Sequence, residues 1–211
     1  MTDTSELLDV VNATAAALHR HGIEYFVTGS FASSVHGEFR ATNDIDIVAV
    51  LDARRLEAWL AARSTTFLTD LDQAREALAT GGSFHLIHST TYLKVDVFPC
   101  VSAFNREAIR RAVAVSLPGA SEPLRVASLE DIILSKLWWF RLGGETSETQ
   151  QRDVRRLMAL NRPRLDVPYL EQWAAELKVE ICSRCFSRDQ RRTDTTLLCI
   201  ERTAAYRGEH K

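Results

Sequence analysis

The sequence predicts an α/β domain running to about residue 126, followed by a small C-terminal helical domain. Three observations carry this. Short β-branched and aromatic runs alternate with amphipathic helical stretches through the first part of the chain. From Ser128 onward the apolar residues recur at helical spacing only. No internal repeat or low-complexity segment interrupts either pattern. With 211 residues, 45% apolar and 26% charged, the chain has the make-up of an ordinary globular protein that can bury a sizeable core.

Taken in order, Leu7, Leu8, Val11, Ala15 and Leu18 make one helical stripe, which Gly22 ends. Glu24 to Thr28 is a buried strand that runs into a tight turn at Gly29-Ser30. Phe31 to His36 is a helical turn closed by Gly37. Asp44 to Leu51 is the clearest strand, with Ile45, Ile47, Ala49 and Leu51 on one face and Asp44, Asp46, Val48 and Val50 on the other. Asp52 caps a helix to about Ala62, and a further helix spans Leu71 to Ala79 before Gly81-Gly82. Phe84 to His88 and Tyr92 to Phe98 are strands joined by the polar turn Ser89-Thr90-Thr91. Residues 103 to 113 read as helix, and Pro118-Gly119 marks a hairpin before Val126. Ser128 with Asp131 forms a capping-box signature for a helix through Phe140, broken at Gly143-Gly144. Ser147 to Leu160 and Val167 to Leu177 complete the helical domain, 127–178. Residues 179–211 lose all period and read as a mobile tail.

A formal net charge of -2 argues against a dedicated nucleic-acid coat or a polybasic membrane anchor, though not against a local basic patch. No stretch approaches the ~20 apolar residues that span a bilayer, and the polar, acidic start does not resemble a signal peptide. The expectation is a cytoplasmic protein that makes no membrane contact, with its cysteines reduced. Cys182, Cys185, Cys199 and His210 fall short of a zinc-ligand spacing.

The chemistry lies in three acidic residues. Asp44 and Asp46 share a face of a strand otherwise made of Ile, Val and Ala, and Asp96 interrupts a second apolar strand. Charges are seldom set into such runs without compensation. Paired carboxylates raise each other's proton affinity unless a cation stands between them, a demand that Mg²⁺ meets with oxygen ligands. Three of them at one sheet end could hold two ions ~3.5–4 Å apart, which suits phosphoryl displacement. The plainer reading, with Asp44 capping its strand and the other two paired to arginines, would win for any one aspartate but loses for three. Gly29-Ser30 adds a strand-to-helix turn where backbone N–H groups and a hydroxyl can meet phosphate.

Gly29-Ser30, Gly37, Arg40, Asp44-Ile45-Asp46 and Val95-Asp96-Val97 together resemble the signature of the DNA polymerase β-like nucleotidyltransferase superfamily. Within it the chain is similar to the bacterial branch of minimal nucleotidyltransferases and AbiEii-type toxins. The likeness continues through Ser128-Leu129-Glu130-Asp131, Lys136, Arg141 and Asp153, and covers roughly residues 20 to 177. It implies a mixed sheet flanked by helices and a transfer of NMP from an NTP to a hydroxyl, with pyrophosphate released. By position, Asp44, Asp46 and Asp96 would be catalytic and ligate two Mg²⁺ ions, with Asp96 helping to activate the acceptor. Gly29 and Ser30 would hold the triphosphate; Arg40, Lys94 and Lys136 would assist. The thirteen residues between Ser30 and Asp44 make a long gap for the family, which suggests a loop around Gly37 and Glu38 shaped for a particular substrate.

Lys136 lies on the apolar stripe, so a snorkelling lysine at the core edge competes evenly with a triphosphate ligand. Asp153 is expected to pair with an arginine. His36 and His88 read as ordinary turn residues, and Trp138-Trp139 as packing. The acceptor stays open among RNA, protein and a small hydroxylated molecule; Arg152, Arg155, Arg156, Arg162 and Arg164 tilt mildly toward nucleic acid. A toxin role would imply an antitoxin partner. The rival function is a catalytically silent nucleotide-binding or interaction partner, and behind it a structural domain with salt-bridged aspartates.

Overall fold

The computed structural model describes residues 4–39, 42–63, 65–120, 122–179 and 181. Arg40, the cysteines at 182, 185 and 199, His210 and the rest of 182–211 lie outside them. The described residues form two compact units: those of Met1–Val35 with Phe39–Ser128, and those of His36–Glu38 with Leu129–Lys211. The division therefore falls after Ser128, and a three-residue piece of the first part of the sequence clusters with the helices.

The first unit is built on a mixed sheet with strand order β3-β4-β5-β2-β1-β7-β6. Helix α1 (Thr4–Arg20) buries Val10, Val11, Ala17 and Leu18, and Gly22 ends the segment at a positive φ of 62°. Strand β1 (Tyr25–Thr28) turns directly into the short helix α2 (Gly29–Val35). Strand β2 (Asp44–Ala49) pairs antiparallel with β1. Asp52 caps α3 (Ala53–Ala61) by accepting the Arg55 N–H, and Asp70 caps α4 (Leu71–Thr80) in the same way. Between them lies β3 (Phe67–Leu68), a strand too short for the sequence pattern to reveal.

Strands β4 (Phe84–His88) and β5 (Lys94–Pro99) form a hairpin, and β5 lies parallel to β2. Helix α5 (Ala103–Arg111) follows, then the β6 (Val113–Val115) and β7 (Leu124–Val126) hairpin, whose second strand runs parallel to β1. Ile45, Ile47, Val95, Val97, Phe84 and Leu86 are all within 1% of full burial, so one sheet face is core. The alternate residues Asp44, Asp46, Lys94, Asp96 and His85 therefore share the other face.

The second unit holds α6 (Leu129–Leu142), α7 (Glu148–Asn161), a 3-10 turn at Arg162–Arg164 and α8 (Val167–Leu177). Its interior is stitched by polar contacts. Lys136 Nζ meets Asp153 Oδ2 at 2.8 Å with both side chains buried, and the Tyr169 hydroxyl donates to Asp131 at 2.6 Å. Lys136 is thus a partner of Asp153 that the sequence did not single out, because the two helices place the lysine directly against it. Glu38, 6% exposed, pairs with Arg156 at 3.0 Å, and Asn161 Nδ2 donates to the His36 carbonyl. The residues around Gly37 and Glu38 are therefore anchored in the helical unit. Trp139 is 46% exposed, so only part of the Trp138-Trp139 pair packs inward. Among the described residues no helix is long and apolar enough to cross a membrane.

Candidate active site

The register of the sheet decides the site. In the β1–β2 pair Thr28 stands opposite Asp46; in the β2–β5 pair Asp46 stands beside Asp96 and Asp44 beside Lys94; in the β4–β5 pair His85 stands opposite Asp96. A single row thus runs Thr28, Asp46, Asp96, His85 across four strands. Neighbouring strands lie about 4.8 Å apart, so adjacent members of the row are within side-chain reach. Asp44 and Lys94 form the next row on the same face. The sequence-predicted acids are brought together because β2 and β5, though far apart in sequence, are adjacent and parallel.

Asp96 is 8% exposed and held at both oxygens. Lys94 Nζ lies 2.8 Å from Oδ2, and His85 Nδ1 meets Oδ1. With a carboxylate as acceptor, Nδ1 is the protonated ring nitrogen. The hydrogen bond to Asp96 is the main reason that the Lys94 ammonium is held above the usual lysine value; burial works against it, and the charges of Asp96, Asp44 and Asp46 add to the rise. All three carboxylates therefore act on one ammonium. Three acids thus crowd one face of the sheet, with Lys94 bonded to Asp96.

Gly29 supplies the wall beside Asp46. Its φ of +67° suits glycine, and a Cβ placed there would stand 1.9 Å from Asp46 Oδ2. The backbone at the end of β1 is thus packed against the carboxylate. Ser30 follows in the first turn of α2, where its carbonyl accepts the Ser34 hydroxyl. Lys136 sits in the helical unit, bonded to Asp153.

His85 is the residue that sequence reasoning missed. Its signal was present: counting outward from the turn between His88 and Leu93 sets Ile87 against Lys94 and His85 against Asp96. His88, by contrast, bonds the Thr91 hydroxyl within the turn.

The donor set is all oxygen, as a hard cation requires. Among the described residues no three His, Cys, Asp or Glu side chains stand close enough to hold one ion. An ion on this face would take one or two carboxylates and complete its shell with water and phosphate oxygens, which is how Mg²⁺ usually binds at phosphoryl-transfer sites. The residues fit that group.

No protein-family model matches the chain, and no curated protein matches it. Solved structures do. An antigenic nucleotidyltransferase-like protein from Paracoccidioides brasiliensis has a TM-score of 0.53 at 20% identity, over 87% of this chain and 97% of that one. The antibiotic-resistance factor ANT(2'')-Ia in solution gives 0.52 at 20% identity, over 83% and 96%. Its crystal structure with adenylyl-2''-tobramycin gives 0.53 at 18% identity, over 82% and 97%. The chain has the fold of these nucleotidyltransferase-type proteins.

Proposed function

We propose that the chain is a metal-dependent nucleotidyltransferase that moves an NMP from an NTP to a hydroxyl acceptor and releases pyrophosphate. The observation that carries the reading is the in-register row of Asp46 and Asp96 with Asp44 beside it, three carboxylates acting on one lysine. Three carboxylates set on one pleated face suit a site that gathers cations and phosphate.

Asp44 and Asp46 are the residues that would hold Mg²⁺, together with the triphosphate. The ion supplies charge neutralisation at the transferring phosphorus and its leaving group. Asp96 would orient the acceptor hydroxyl and draw its proton, held in one rotamer by Lys94 and His85. Gly29 lets the backbone approach closely, and the Ser30 hydroxyl would donate to a phosphate oxygen. Catalysis on this plan is positioning plus electrostatics.

The finer assignment, to the AbiEii-type branch with a toxin role and an antitoxin partner, rests on the sequence motifs. The acceptor is an RNA end, a protein side chain or a small hydroxylated molecule. The nucleic-acid tilt is weaker than the arginine count suggested, because Arg155 bonds Gln151 and Arg156 pairs with Glu38.

The test is incubation of the purified protein with each labelled NTP, Mg²⁺, and either cellular RNA, protein lysate or aminoglycoside. The reading expects label on one acceptor class and none with Asp46→Asn. Nucleotide binding without transfer to any acceptor would favour a catalytically silent partner instead.

A further inference from the structure

Lys94 puts a positive charge of the chain's own among the three acids. It stands two residues before Asp96 on β5, so both side chains project to the same side of the sheet, and it pairs in register with Asp44 on β2. Its Nζ lies 2.8 Å from Asp96 Oδ2. The hydrogen bond to Asp96 and the charges of all three acids favour its protonated form. The ammonium is thus within electrostatic reach of Asp44 and Asp46 as well as Asp96.

Each oxygen of Asp96 already carries a protein donor. Lys94 takes Oδ2 and the His85 ring N–H takes Oδ1, on a side chain only 12% exposed. This bears on how many ions the face can hold. A centre with two divalent ions ~3.5–4 Å apart needs acids that reach both. Asp44 and Asp46 share β2, so Asp96 is the acid that would draw a second ion toward β5.

An Mg²⁺ ion on Oδ2, at its usual bond length of about 2.1 Å, would lie within about 5 Å of Nζ. Like charges at that range, partly withdrawn from water, repel strongly. Among the described residues no three acidic, histidine or cysteine side chains gather tightly enough to hold one ion, so Asp96 does not join Asp44 and Asp46 around a single point.

We propose that Lys94 stands in place of a second ion: the face takes one Mg²⁺, at Asp44 and Asp46 with the nucleotide, and the Lys94 ammonium supplies the positive charge at Asp96. The inference rests on the metal-dependent transfer reading and narrows it, since the two ions that the sequence resemblance implies become one. An ammonium has three donors, of which Asp96 takes one, and the lysine side chain is 36% exposed. It can therefore meet a phosphate oxygen without leaving Asp96.

The test counts Mn²⁺ on the full chain by equilibrium dialysis with a saturating non-hydrolysable NTP analogue, and reads the bound ion by electron paramagnetic resonance. Wild type should hold one Mn²⁺ per bound analogue, with the spectrum of an isolated ion. Lys94→Met removes the ammonium and frees Oδ2, so it should hold two, with the signal broadened by coupling between neighbouring spins. If Lys94→Met fails to fold, Lys94→Gln takes its place. Adding Asp96→Asn to the lysine variant should return the count to one. The proposal is overturned by two coupled ions on wild type, by a single ion on the lysine variant, or by two ions on the double variant. Wild type that binds the analogue and holds no ion with it would remove the transfer reading itself, and this inference with it.

Discussion

Asp46 Oδ2 lies 1.9 Å from the point that a Cβ on Gly29 would occupy. The glycine is therefore needed twice, for its left-handed backbone and for the space that the carboxylate fills. Gly29→Ala should destabilise the fold by about 1–3 kcal/mol, the usual cost of a side chain in that conformation plus local displacement. It should also push Asp46 out of register with Asp96 and reduce NMP transfer by about a hundredfold or more. Thermal melting and transfer assays on the same preparation check both halves. A variant with near-normal transfer would mean that the contact is packing alone.

Asp44→Asn and Asp46→Asn separate chemistry from structure. Each relieves repulsion on a face where three acids share one lysine. Both should lose transfer while melting at or above the wild-type temperature. A marked fall in melting temperature for both would return these aspartates to structural salt bridges.

Lys136 and Asp153 make a different kind of pair. Their side chains are 6% and 2% exposed, and they meet at 2.8 Å inside the helical unit. Lys136→Met takes the cation away from a buried carboxylate and should cost about 3–5 kcal/mol, with much of that recovered in Lys136→Met/Asp153→Leu. Denaturant unfolding of the two single variants and the double closes the cycle. A near-neutral Lys136→Met would show that the lysine is not structural.

The Tyr25 hydroxyl has its pKa raised above the usual 10.0, first by burial, against which Arg125 works and to which Glu122 adds. The unfolded chain releases this proton at the ordinary value and the folded chain at a higher one. Stability from this group is therefore intact below pH 10.0 and falls as pH rises from there through the folded value. Wild type should lose melting temperature faster than Tyr25→Phe above about pH 10. Equal slopes for the two proteins would remove Tyr25 from the alkaline transition.

Much of the site could be read from the chain because strands alternate strictly. Ile45 and Ile47 buried means Asp44 and Asp46 share the opposite face, and the same parity places Lys94 with Asp96. What parity cannot give is which strands are neighbours. Spacing along the chain does not reveal that β2 lies parallel to β5, and only that adjacency sets Asp46 beside Asp96. Counting outward from the hairpin turn sets His85 against Asp96, whereas the apolar residues of its strand carry no sign of that pairing. Strand β3, two residues long, carries no period at all. The partners of Asp153 and Glu38 depend on how helices pack, and one helix's stripe does not identify the side chain facing it.

The most direct test measures the ion itself. Bound Mn²⁺ can be counted by electron paramagnetic resonance in the presence of a non-hydrolysable NTP analogue. Wild type should take up the ion together with the analogue, and Asp44→Asn/Asp46→Asn should show only what the analogue binds in free solution. Equal Mn²⁺ uptake by the two proteins would contradict the assignment of these carboxylates to a metal-dependent transfer centre.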